Sequence, residues 1–375
     1  MMAERSAVIT HESAVTFGTP PWVADVTISP RTIPSSCQVL VIGAGITGLS
    51  AAMWLARSGH DVTVIERRFG SGASARSGGV ILGDTLVGPV PEFIDCHIEL
   101  RHWVVDEWAD CELFWCGCLE LARDVSLSRD PIDWQAEGSL RMSGWVGAGV
   151  LNPLKLQRAL LDRAHRAGAV IVDGVSATEL AHDGSRSVVV TNRGDIAARH
   201  VVMAVDATAR TAGFDPWSDR VITVAIQTAP LSEQALAAIG LKPHQAFYTR
   251  DLPLLWGRVM PDRSLLIGRE TFGFLRRSSE LLGDRFAIAT ERLISRLHQL
   301  HPRLRETKVC RSWGGPIARD ADGVPAIVFD PAHRSVLWAG GYGGHGVAQA
   351  FRMGTIVAEK VNQFRNSSAA SPGKT

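Results

Sequence analysis

Val39-Leu40-Val41-Ile42 is an unbroken apolar run, followed at once by glycines at 43, 45 and 48. Apolar residues without polar alternation predict a strand buried on both faces, as in a parallel sheet. Leu49, Ala52, Met53 and Ala56 then recur at helical spacing. Gly59 ends that helix, and residues 61–65 alternate as a second strand closed by Glu66. Residues 91–111 predict a helix, and short strand-like pieces follow from 118 to 150. Pro153 opens a helix through Leu156, Leu160, Leu161 and Ala164, which Ala167-Gly168 ends before the strand 170–172. Residues 187–191 and 195–198 flank Asn192-Arg193-Gly194 as a hairpin, and 200–205 is an apolar strand. From 217 to 312 the pattern changes to alternating strands, 254–259 and 264–268 among them, with a long helix from about 285 to 300. Residues 336–341 restore strand, glycine turn and helix, the last through Val347, Ala350, Phe351, Gly354, Ala358 and Val361. Residues 1–36 hold Pro20, Pro21, Pro30 and Pro34 with little periodicity, which predicts an arm. Residues 367–375 predict a disordered tail.

Strand, glycine turn, helix, strand and acid in this order predict a dinucleotide site. The glycines permit a tight turn, close approach of backbone to a pyrophosphate, and close packing of the helix on the sheet. The helix start near Ile46 offers free N–H groups and a positive dipole end, and Glu66 stands where an acid accepts from an adenosine ribose. The expected contacts of this unit are Gly43, Ala44, Gly45, Ile46, Thr47, Gly48, Glu66 and Arg67, with FAD as the ligand. Nucleotide-type elements recur in three pieces, which argues against a simple NAD dehydrogenase with one contiguous Rossmann domain. The predicted class is α/β: a Rossmann-like FAD-binding domain (37–83, 150–215 and 330–366) with an interleaved α+β substrate domain built on an antiparallel sheet (84–149 and 216–329).

Composition narrows the setting. With 375 residues, 46% hydrophobic and 21% charged, the chain is long enough for two cores. A net charge of +1 carries no electrostatic footprint for nucleic acid or an anionic membrane. No apolar run reaches membrane-spanning length, and the first residues lack the charged and apolar regions of a secretory signal, so a cytoplasmic location is expected. The six cysteines form no even framework and predict reduced thiols. Cys111, Cys116 and Cys118, with His97 and His102 upstream, contain no CxxC pair, and no metal site is predicted.

Three further motifs carry chemistry: Gly72-Ala73-Ser74-Ala75-Arg76-Ser77-Gly78-Gly79, Trp313-Gly314-Gly315 followed by Asp322-Gly323-Val324-Pro325, and Gly340-Gly341-Tyr342-Gly343-Gly344-His345-Gly346-Val347. Small residues at 72–79 let backbone pass beside a flat ring, while Ser74, Arg76 and Ser77 offer donors to phosphate and flavin edges. Gly343, Gly344, His345, Gly346 and Val347 open a helix whose N–H groups suit negative charge on a reduced flavin. His345 is also a possible general base, against a role through its backbone alone.

With these motifs the chain resembles the FAD-dependent amine and amino-acid oxidoreductases, the family of D-amino-acid oxidase, glycine oxidase and sarcosine oxidase, and most of all its gamma-glutamylputrescine oxidase branch. The likeness runs from about Pro20 to Val361. It implies non-covalent FAD, with Ala177, Ala204, Val205, Trp313 and Gly341 completing the cofactor contacts. The cysteine and histidine that attach flavin covalently in other branches have no counterpart, and Cys310 lies before Trp313 rather than after it. In the amino-acid oxidases of the family an arginine four residues after the third motif's tryptophan clamps the substrate carboxylate; here that residue is Ile317, which has no bidentate fork. The resemblance therefore implies oxidation of an amine, or of an acid whose carboxylate lies far from the reacting carbon, to an imine by hydride transfer to flavin N5. Oxygen is the expected acceptor, giving hydrogen peroxide; the alternatives are an amine dehydrogenase with another acceptor or an FAD-bearing subunit of a larger assembly. Arg258 and Trp256 are the expected substrate-side residues. The segment from Leu121 to Asn152 is shorter than in relatives. Trp103, Trp108, Trp115, Trp134 and Trp145, among eleven tryptophans, could form a cage for a cation or fill cores and interfaces.

Overall fold

A computed structural model describes residues 7–11, 16–26, 28, 31–85, 87–123, 134, 140–183, 186–250, 254–273 and 279–369. Two large sheets organise them. The first has ten strands and a parallel centre. There Ser36–Ile42 lies between Val62–Glu66 and Gly194–Met203, and Val62–Glu66 pairs onward with Val170–Asp173. Val336–Gly340 runs parallel to the end of Gly194–Met203, whose first half forms the antiparallel hairpin with Arg186–Thr191.

Val39, Leu40 and Val41 are fully buried, as an apolar run covered on both faces must be. Val39 and Val41 share a core with Leu49, Met53, Leu156, Leu160 and Val357 from the helices Ile46–Arg57, Pro153–Arg166 and Gly346–Ala369. Leu40 and Ile42 point the other way, onto Val189, Ile196 and Trp338. The Asn152 side chain accepts from Leu154 N and Lys155 N and so caps its helix, with Pro153 at the first position as the sequence predicts.

The second sheet has eight strands, antiparallel except where Cys118–Ala122 runs parallel to Ala246–Thr249. Strand alternation sorts its two faces. Ile222, Val224 and Ile226 pack with Leu265, Ile267, Leu293 and Leu297 under the helix Ser279–Leu300. Thr223 and Ala225, between them in sequence, line a cavity instead. The fold is thus a Rossmann-like α/β part joined to an α+β part built on an antiparallel sheet.

The N-terminal segment differs from the expected arm. Ala7–His11 is a strand inserted between Ala177–Asp183 and Ala209–Thr211, and Phe17–Gly18 extends the second sheet beside Val309–Arg319. Of the first of these strands only Ile9 is buried, and its partners lie far along the chain, so its local pattern is featureless. The predicted helix 91–111 is confined to Cys96–Asp106, and the last helix continues to Ala369, past the expected tail boundary. Much of the segment between Leu121 and Asn152, expected to be shorter than in relatives, and the tail beyond residue 369 lie outside the described residues.

Candidate active site

The glycine loop is built for close approach. Gly43 has φ +106, and a Cβ there would lie 2.5 Å from Ala204 O; a Cβ at Gly48 would lie 1.9 Å from Gly43 O. The helix Ile46–Arg57 starts with no side-chain cap on Gly45 and no acid in its first turn. An uncapped helix start of this kind leaves N–H groups and a positive dipole end for an anion. Around the loop, Ser74 Oγ accepts from Ile46 N at 3.0 Å, Gln157 Nε2 donates to Ala44 O at 2.5 Å, and Thr47 Oγ1 shares a 2.6 Å hydrogen bond with Tyr342 OH. Burial pushes the Tyr342 phenol up.

Glu66 is engaged differently from the expectation. Its Oε2 accepts from Ala44 N at 2.7 Å and its Oε1 from Arg68 N at 2.9 Å, so the carboxylate braces the loop, with one lone pair left on each oxygen. Burial raises its pKa against the opposing pull of those amides.

A cavity of about 990 Å³ runs from this loop to the inner face of the second sheet. Gly43, Gly45, Ile46, Thr47, Glu66 and Arg67 line one end, with Ala177, Ala204 and Val205 beside them. Gly72, Ala73, Ser74, Arg76, Ser77, Gly78 and Gly79 line it as well, and so do Trp313, Gly343, Gly344, His345, Gly346 and Val347. Of the expected cofactor contacts, Ala44, Gly48 and Gly341 are not on its surface: Gly48 closes the helix against the loop, and Gly341 N donates to Asp206 Oδ1 at 2.9 Å.

One arginine on the cavity is also tied to backbone, and a second lies off the cavity. The Arg76 guanidinium, read as a phosphate or flavin donor, donates to Gly314 O at 3.0 Å, to Gly18 O at 2.8 Å and to Phe17 O, tying the loop to the second sheet. Burial, with repulsion from Arg68, lowers its pKa to about 10. Arg258, expected on the substrate side, is 3% exposed, does not line the cavity, and donates to Leu151 O at 2.8 Å. Burial lowers its pKa to about 10 as well. Trp256 does line the cavity, its ring against Gly78 and Gly268.

The tryptophan cage does not form. Trp103 packs on Phe351, Trp134 meets Phe247 edge-on, Trp115 stacks on His97, Trp108 is 91% exposed and Trp145 59% exposed. None of the five lines the cavity.

Other residues enter the site that the sequence reading passed over. Asp206, at φ +43, accepts from Gly341 N and, through Oδ2, from Ala318 N at 3.2 Å; burial raises its pKa. It pins the last glycine turn to the second sheet. Tyr248 OH donates to Glu120 Oε1 at 2.5 Å, and both line the cavity near Asp84. Burial first, then the carboxylate, drives the Tyr248 phenol upward. Tyr342 already stood within a singled-out motif. Tyr248 and Glu120 carry no local signal, since they meet only through the parallel pairing of their strands.

The residues fit a flavin dinucleotide. Ser77 Oγ, Gln157 Oε1 and His345 Nδ1 are buried without a partner and belong to residues on the cavity. A Cβ at Gly72 would meet nothing within 4 Å, so the backbone there lies open to a ligand. Burial lowers the His345 pKa, which keeps its ring neutral at neutral pH and able to accept or donate one hydrogen bond.

A Rossmann-type sheet whose open glycine loop feeds a cavity floored by an antiparallel sheet defines a dinucleotide-dependent oxidoreductase. Residues 38–360 match the family model described as FAD dependent oxidoreductase (DAO), and the chain belongs to that family. A probable oxidoreductase, OrdL, from Rhizobium meliloti is 27% identical over 86% of this chain and 82% of its own length. The gamma-glutamylputrescine oxidoreductase of Escherichia coli is 24% identical over 86% of this chain and 83% of its own. Among solved structures, glycine oxidase from Geobacillus kaustophilus superposes with a TM-score of 0.68 at 20% identity, covering 88% of this chain and 95% of that one. FAD is the cofactor the family uses. Among the described residues no helix is long and apolar enough to cross a membrane.

Proposed function

We propose that the protein oxidises the C–N bond of an amine to an imine, which water hydrolyses to a carbonyl compound and a smaller amine. FAD, when bound, supplies the two-electron acceptor that takes hydride from the carbon beside nitrogen. The nitrogen lone pair closes the C=N bond as that hydride leaves, so an amine that arrives as the cation must give up its ammonium proton before that step. Oxygen is the proposed final acceptor, reduced to hydrogen peroxide.

The observation that carries the substrate class is Ile317 on the cavity surface. An apolar side chain there provides no fork for a carboxylate next to the reacting carbon. Asp84 and Glu120 bring carboxylates to the same cavity and Arg250, Arg269 and Arg319 bring guanidinium groups, so the charge of the lining does not choose between an amine and an acid, and the substrate class rests on Ile317. The relative named for gamma-glutamylputrescine supports an amine, and the family supports the chemistry. Within the molecule, we assign FAD to the ten-stranded part and substrate to the face of the eight-stranded sheet, with Trp256 on the substrate side.

The test is anaerobic bleaching of the oxidised flavin band with polyamines, N-acylated diamines, N-methyl amines and D-amino acids, followed by air. Bleaching by an amine and not by D-amino acids, then recovery with peroxide release, is expected. Preference for an α-amino acid overturns the substrate class. Bleaching without recovery in air points to an amine dehydrogenase or an FAD-bearing subunit passing electrons to another acceptor.

A further inference from the structure

Every carbonyl of the run 76–79 is held by a donor. The Trp313 indole N–H donates to Arg76 O at 3.0 Å and the Trp22 indole N–H to Ser77 O at 2.9 Å. Arg258 Nη1 donates most closely to Leu151 O, at 2.8 Å, and also reaches Gly78 O and Gly79 O at 3.3 Å each. Leu151 N adds a 2.8 Å bond to Gly79 O. The Arg258 guanidinium also lies 5.4 Å from the centre of the Trp22 ring, so the two side chains support one another.

The opposite ends of the same peptides are free. Among the described residues, no protein acceptor takes the N–H of Gly78 or of Gly79, and both residues line the cavity. In a trans peptide the N–H points away from the C=O of the same unit. Trp22 holds the carbonyl of the peptide that carries Gly78 N–H, and Arg258 holds the carbonyl of the peptide that carries Gly79 N–H. A donor bound to the carbonyl also polarises the peptide and strengthens its N–H. Neither glycine can be replaced without disturbing the run, since a Cβ at 78 would lie 2.3 Å from the Trp256 ring and Gly79 has φ +69.

Burying a guanidinium is costly, and Arg258 Nε is itself left without a partner. A methionine or leucine would fill the same volume at lower cost. What the guanidinium supplies is a donor shared by three carbonyls, those of Leu151, Gly78 and Gly79.

We propose that Trp22 and Arg258 are positioning residues that fix the 77–79 peptides from behind and aim two amide N–H donors at the flavin of bound FAD. Such donors stabilise electron density arriving on the ring and so raise its reduction potential. The proposal rests on FAD in the cavity and is independent of which amine is oxidised.

The test uses the holoenzyme and four variants: Trp22→Phe, which keeps the ring and removes the N–H, Arg258→Lys, Arg258→Met and the double variant Trp22→Phe/Arg258→Lys. The wild-type flavin absorbance is read first, which separates a failure of the cofactor site from a failure of the clamp. In Trp22→Phe with full flavin, the midpoint potential by reductive titration is expected to become more negative and the visible circular dichroism of the flavin to change. Its kcat should fall by about fivefold, the worth of one hydrogen bond, with KM within about twofold. Arg258→Lys should recover part of what Arg258→Met loses, and the double variant Trp22→Phe/Arg258→Lys should lose less than the sum of the two. A wild-type potential and dichroism in both Trp22→Phe and Arg258→Lys, whatever their melting temperatures, would overturn the proposal.

Discussion

At Gly48 one hydrogen stands where any other residue carries a carbon. That carbon would lie 1.9 Å from Gly43 O and 3.2 Å from the Val41 side chain, so Gly48→Ala must push the first helix off the sheet. The variant should lose at least about 3 kcal/mol and purify with little flavin, measured as flavin absorbance per chain and as the melting midpoint. Full flavin at an unchanged midpoint would contradict this account of the loop. Residue types were a sound guide to this backbone and a poorer one to side-chain partners. Ser74, Glu66 and Arg76 were all legible as polar groups near a ligand. Each proves to be committed wholly or partly to backbone groups of the protein: Ser74 to Ile46 N, Glu66 to Ala44 N and Arg68 N, Arg76 to carbonyls of the second sheet.

The N-terminal strand is the element whose role a local pattern conceals most. Ala7–His11 covers the edges of Ala177–Asp183 and Ala209–Thr211, and His11 reaches the cavity wall. Deleting residues 1–11 should leave two open edges, lower the melting temperature and cause association, read by thermal denaturation and size-exclusion chromatography. A monomeric, fully stable truncation would show that the edges need no cover. The unit from Val39 to Glu66 was readable because each of its elements follows its neighbour directly. The pairing of Cys118–Ala122 with Ala246–Thr249 was not, since it joins segments separated in sequence by several strands of the first sheet, and with it went the Glu120–Tyr248 pair.

Across the whole molecule, half-buried histidines are expected to contribute to the response to acid. His200 is half-buried against Phe364, and burial, with repulsion from Arg199 and His60, lowers its pKa to about 4. Because the folded value lies below the unfolded 6.5, its contribution to stability is complete above pH 6.5 and is lost as pH falls toward 4. His97, His244 and His345 shift in the same direction, each mainly by burial. The melting temperature should therefore fall between pH 7 and pH 5, and His200→Gln should flatten part of that fall; an unchanged slope in the variant would assign the acid sensitivity elsewhere. The same contrast of local and long-range effects separates what was legible from what was not. Sequence alone determined the parallel unit, the glycine turns and the cofactor class, because these depend on side-chain spacing and backbone freedom within a few tens of residues. Only the tertiary structure decided that Arg258 faces the 78–79 carbonyls rather than substrate, that the tryptophans scatter instead of caging a cation, and that Asp206 pins the last glycine turn. Hydrogen bonds act over about 3 Å and in fixed directions, so their partners are settled only when the two sheets have packed together.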